Sequence, residues 1–243
     1  MQQSEGQISD EEAGVISPPE KFSVVEQGLY RSALPRCENV AYVRSLQLRR
    51  VIVLSEQRIG RSMEKLLAQN NIMVSHIGLR GAMEDASWRP MPEEVVKESI
   101  EMMLSEENYP LLVCDVGGVH VVGMVIGCLR RLTGWNLTSV VSEYRLFAGA
   151  KTRYVNEQFI ELFDTDLVCI PERERRAAWL CAQKAMEMEE IGEYERLVRE
   201  GRVDGAGARV DDTEMASYRR YYYSSCSPLN STGGASTPRI RLL

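Results

Sequence analysis

Of the six cysteines in this 243-residue chain, one stands where a thiol could do chemistry. Cys114 ends the apolar run Leu111, Leu112, Val113 and opens the segment Asp115-Val-Gly-Gly-Val-His-Val-Val-Gly123. An apolar stretch, 121–129, overlaps the end of that segment and is closed by Arg130 and Arg131. A buried strand, a glycine-bearing turn and a helix N-terminus in this order aim successive backbone N–H groups into one concavity, which suits an anion. A thiol at its lip is favoured as the thiolate. A thiolate there can attack phosphorus, and water then hydrolyses the intermediate. The expectation is a nucleophile at Cys114 and a phosphate-binding loop made by Gly117, Gly118, Val119, His120, Val121, Val122 and Gly123.

Such a reaction also needs an acid to protonate the leaving oxygen. Glu84 and Asp85, in the loop 80–91, are the placed candidates, and Asp85 is taken as the general acid. Lys151 and Arg153 are further cations, read as solvated surface charge. His76 falls within a strand and is read as structural. No metal site is expected: no Cys pair has CxxC spacing, and His76 and His120 are the only histidines. No cofactor is expected either. Gly117, Gly118, Gly123 and Gly127 do not make the GxGxxG spacing of a dinucleotide site.

The elements that must position these residues are legible from periodicity. Residues 22–32 alternate weakly around Gly28 and read as a short hairpin. A helix over 39–48 with Asn39 as N-cap leads to the β-branched strand 50–55. A helix over 62–70, a strand over 72–78, a helix from Pro92 to 105, the strand 110–114 and the helix 121–133 follow. Strand and helix alternate, which argues for an α/β fold with a largely parallel central sheet flanked by helices. Two more helices fall at 137–147 and 156–163. The expected organisation is a disordered acidic tail (1–20), one domain (21–171), a charged helix (172–200) and a disordered tail (201–243) that carries Tyr218-Arg-Arg-Tyr-Tyr-Tyr.

Four stretches outside the loop carry a resemblance. Residues 127–145 (Gly-Cys-Leu-Arg-Arg-Leu-Thr-Gly-Trp-Asn-Leu-Thr-Ser-Val-Val-Ser-Glu-Tyr-Arg), 147–151 (Phe-Ala-Gly-Ala-Lys) and 156–164 (Asn-Glu-Gln-Phe-Ile-Glu-Leu-Phe-Asp) resemble the plant and fungal atypical dual-specificity phosphatases. So does Gly28-Leu-Tyr-Arg-Ser32, and the match runs over about 20–171. The likeness is strongest to the fungal oxidant-induced cell-cycle arrest group. It implies a dual-specificity phosphatase-like fold, and a Cys-x5-Arg-Thr-Gly signature in active members.

The signature departs from that pattern. His120 is sixth after Cys114. Laying His120-Val121-Val122-Gly123 on the family's His-Arg-Thr-Gly gives a loop longer by one residue, with Val121 for Arg, Val122 for Thr and Val113 for the His before the nucleophile. Losing one preorganised donor of this kind costs about 3–4 kcal/mol of transition-state stabilisation. Asp115 beside the thiol disfavours both thiolate and phosphate dianion. The expectation is a pseudophosphatase that works as a binding or scaffold subunit in a stress-response complex with related phosphatase-like proteins. Its ligand is expected to be a phosphorylated molecule or an inositol pyrophosphate. The alternative is an active enzyme on phosphotyrosine or inositol pyrophosphates through a Cys114 phosphocysteine.

Composition closes off other classes. A net charge of −6 argues against nucleic acid as a partner. The 121–129 run is about half the length that spans a bilayer, so no membrane partner is expected. The acidic first twenty residues look nothing like a targeting segment, and the chain is read as cytoplasmic with reduced thiols.

Overall fold

The computed structural model describes residues 16–55, 57–77 and 92–199. Five strands form one sheet in the order β1-β2-β5-β3-β4. The hairpin β1 (Ser23–Glu26) and β2 (Leu29–Ala33) is antiparallel and turns at Gly28, whose φ of +75° suits glycine. The other pairings, among β2, β3 (Arg50–Val53), β4 (Met73–His76) and β5 (Leu111–Asp115), are parallel. The α/β expectation of a largely parallel sheet between helices holds.

Helices cover both faces of this sheet. On one face α1 (Val40–Ser45) and α2 (Arg61–Gln69) bury Val43, Met63, Leu66 and Leu67 against Val51, Val53, Leu112 and Cys114. On the other, α3 (Glu93–Met103), α4 (His120–Leu132), α5 (Leu137–Ala148) and α6 (Tyr154–Leu162) pack on Ile52, Leu54, Leu111 and Val113. Residues of β3 and β5 therefore alternate between two cores, because successive side chains of a strand point to opposite faces. Both faces are covered, so β5 reads as a continuous apolar run and its alternation is invisible in hydropathy.

Three details differ from the sequence-based expectation. Asn39 precedes α1 but does not cap it through its side chain: its Oδ1 accepts from the Arg36 N–H at 2.9 Å and its Nδ2 donates to Ser17 O at 3.2 Å. Order reaches back before Phe22, since Ala33 N–H also donates to Glu20 O at 2.7 Å. The charged helix is α7 (Ala178–Arg199), starting six residues later than expected. One compact unit comprises Met1–Pro171 with Arg175–Ala182, and Trp179 and Leu180 join its core. The other unit, Glu172–Glu174 with Gln183–Leu243, contains the remainder of α7 among its described residues. The expected tails, apart from 16–20, lie outside the described residues.

Candidate functional site

β5 is the middle strand. Cys114 pairs with Ser32 of β2 on one side and Val53 of β3 on the other. Strand alternation sends its side chain to the α1–α2 face, among Leu112, Val53 and Met63. The residue is fully buried, and its Sγ lies 3.5 Å from Ile52 O. Burial, and then the charge of Asp115, push the thiol well above its ordinary range. The expectation of a thiolate at the lip of the cradle is thus corrected: Cys114 is a core residue, one face of the sheet away from the loop.

Asp115 takes the position expected of the thiol. Alternation turns it to the α4 face, where the loop comes back over the end of β5. Its Oδ1 accepts from the N–H of Gly117 at 2.9 Å and from the N–H of Gly118; its Oδ2 accepts from Val121 at 2.9 Å and Val122 at 3.0 Å. The residue is 5% exposed. A carboxylate with four N–H donors at the start of a 13-residue helix is held by charge-assisted bonds and by the helix dipole. Of the loop residues expected to bind phosphate, four spend their N–H groups on Asp115. Gly123 spends its own on Val119 O at 3.0 Å, the first bond of α4, and so does not face the cradle.

The loop is fastened from outside. Gly118 has φ of +65°, and a Cβ there would sit 2.3 Å from Ala33 N, so only glycine lets the loop lie against the end of β2. Arg31, buried in β2, donates from Nη2 to Gly118 O at 3.1 Å and lies 3.7 Å over the Phe147 ring. Its Nε is buried without a partner. Burial lowers its pKa to about 10, against opposing pulls from Glu143 and Asp115. Gly123 gives room for Tyr144, whose ring would meet a Cβ at 2.9 Å.

Above the filled cradle lies a cleft of about 420 Å³ at the carboxyl ends of β3 and β5, where ligands of open parallel sheets bind. Its walls include Leu54, Val116, Val119 and Val121, with Gln57, His120 and Arg153 as polar members. His120, expected in the phosphate-binding loop, lines this cleft. Its Nδ1 lies 3.2 Å from Tyr144 Oη, which accepts from Asn156 Nδ2 at 2.9 Å. Burial first, and then Arg153, lower its pKa, so the ring is neutral at neutral pH. Arg153 borders the cleft, whereas Lys151 is exposed beside α6. His76 is exposed on β4. Glu84 and Asp85, the expected acids, lie outside the described residues.

Sequence reasoning missed Asp115 and Arg31. The signal for Asp115 was spacing: Val121 is sixth after Asp115, the interval of Cys-x5-Arg, with no residue gained. Cys114 then falls where the family has the preceding His. Choosing the nearest cysteine as anchor hid this. For Arg31 the signal was its place in Gly28-Leu-Tyr-Arg-Ser32, one of the stretches that carry the resemblance, though that motif does not by itself tell a loop support from a surface charge.

A parallel sheet whose middle strand runs into an N–H cradle and a helix defines the cysteine-phosphatase class, here with a carboxylate at the cysteine's place. The chain belongs to the tyrosine phosphatase family, which it matches over residues 16–182. It is 41% identical over 152 residues to the Dictyostelium discoideum protein named probable tyrosine-protein phosphatase DG1060, covering 62% of this chain and 90% of that one. It is 36% identical over 158 residues to the inositol diphosphatase DSP3 of Arabidopsis thaliana (65% and 77% covered). It is 38% identical over 169 residues to the OCA1 protein of Debaryomyces hansenii (68% and 86%). Among solved structures, the core catalytic domain of the PP-IP phosphatase SIW14 from S. cerevisiae, in complex with citrate, superposes with a TM-score of 0.57. Its identity is 33%, over 62% of this chain and 90% of that one.

Proposed function

We propose that this chain is a tyrosine phosphatase family member that does not hydrolyse phosphate esters and works by binding. The observation that carries this reading is Asp115, whose carboxylate fills the cradle where a thiolate would attack. A carboxylate held by four N–H groups is a poor nucleophile, and it repels the phosphoryl group it would have to meet. Val121 adds no guanidinium for the transition state, a loss worth about 3–4 kcal/mol in comparable cases. Cys114 cannot substitute, since its thiol is protonated and faces the opposite core.

The binding role is that of a scaffold or ligand-holding subunit beside related phosphatase-like proteins, in a stress-response setting and in the cytoplasm. Relatives named inositol diphosphatase and PP-IP phosphatase support an inositol pyrophosphate, or another phosphorylated molecule, as the ligand class, met at the cleft rim by Arg153. The test is phosphate release from an aryl phosphate and from an inositol pyrophosphate by the purified full chain. The expected result is release no faster than buffer, unchanged by Cys114→Ser. Turnover that Cys114→Ser abolishes would establish the phosphocysteine route instead.

A further inference from the structure

The loop 116–122 is also held by contacts that do not involve the Asp115 side chain. Gly118 lies against the backbone of Ala33, and Arg31 holds Gly118 O from below. Val119 and Val122 are anchored in the core on the α4 face. The N–H groups of Gly117, Gly118, Val121 and Val122 are therefore aimed by the framework and not gathered by the carboxylate alone. Beside them lies the Arg31 guanidinium, 1% exposed, whose Nε has no hydrogen-bond partner and whose charge acts on Asp115 and Glu143. A concavity of fixed N–H donors over a buried cation is a site for a compact anion. The anion present is covalently part of the chain.

We propose that Asp115 is a built-in ligand: its carboxylate excludes free phosphate from the cradle, and removing it opens a binding site for tetrahedral oxyanions. This rests on reading the chain as a phosphatase-fold protein without turnover, and it is tested by binding alone. In the native protein, any phosphorylated ligand is confined to the cleft above the cradle and to its rim, beside Gln57, His120 and Arg153.

The experiment titrates inorganic phosphate into the full-length chain and into Asp115→Ser and Asp115→Gly, with chloride at equal ionic strength as control. Amide resonances and the melting temperature are read together. In the wild-type protein the amides of Gly117, Gly118, Val121 and Val122 are expected to stay in place and the melting temperature to be indifferent to phosphate. In the variants the same four amides should move saturably, and saturating phosphate should raise the melting temperature by roughly 5 °C. If a variant does not fold in chloride, refolding in phosphate is the readout, and recovery supports the proposal while no recovery overturns it. Wild-type amides that shift as far as the variants', or variant amides that do not shift, overturn it as well. Phosphate release by the wild-type chain, measured separately, bears on the functional reading and leaves these binding results intact.

Discussion

Cys114 and Asp115 are adjacent in sequence and lie on opposite faces of one strand, so their chemistry separates completely. Burial keeps the Cys114 thiol protonated, and it does the same to Cys128 inside α4. Native protein treated with a thiol reagent at neutral pH should be modified at the exposed Cys37 and Cys169, with Cys114 protected until denaturant is added. Modification of Cys114 as fast as Cys37 would contradict its placement. The same burial has a pH signature. Both thiols titrate higher folded than unfolded, so the unfolded chain releases their protons first. Their contribution is complete below the unfolded value of about 8.5 and declines as pH rises beyond it, by at most about 1.4 kcal/mol per pH unit for each thiol. Urea unfolding at increasing alkaline pH should show this slope, and Cys114→Ala should remove its share. For Asp115, replacement by Ala strips four N–H groups of their acceptor. A loss of about 2–4 kcal/mol is expected in chemical denaturation. A loss under 1 kcal/mol would mean those donors find other partners.

The elements decide where these residues go. α4 starts at the loop and lies close to α5 and α6, and glycines permit close approach at two places, Gly127 of α4 against α6 and Gly118 of the loop against β2. A methyl group at Gly127 would meet Ile160 at 2.7 Å, and one at Gly118 would meet the Ala33 backbone at 2.3 Å. Ile160 can adjust its side chain and the β2 backbone cannot. Gly127→Ala is therefore expected to cost about 1–3 kcal/mol, and Gly118→Ala, which also strains a left-handed backbone, roughly 3–5 kcal/mol. Equal costs for the two would refute this account of the loop's anchorage. Much of this framework was legible in the sequence: the β-branched run 50–53, the apolar spacing of 63, 66 and 67, and the strand–loop–helix order around 111–132 all appear as expected. The cradle's occupant was not. Periodicity assigns faces only where one face is wetter than the other, and β5 is buried on both, so nothing in its hydropathy tells Cys114 from Asp115. Hydrogen bonds that cross the fold, such as Arg31 to Gly118, leave no local trace.

At the scale of the whole molecule, the family fold persists around a cradle whose N–H groups are held by the Asp115 carboxylate. The core on the α4 face runs from Val25 through Tyr144 to Leu180, and the family match spans the same region. None of that packing depends on a nucleophile. Among the described residues no helix is long and apolar enough to cross a membrane. The cleft lies at the carboxyl ends of β3 and β5, and its lining sets Leu54 and three valines beside Gln57, Asp115, His120 and Arg153. The most direct measurement is the rate of phosphate release from an inositol pyrophosphate and an aryl phosphate by purified full-length protein, with Asp115→Asn and Cys114→Ser alongside. The account predicts no release above buffer for any of the three. Release by the wild-type chain that either substitution abolishes would contradict it.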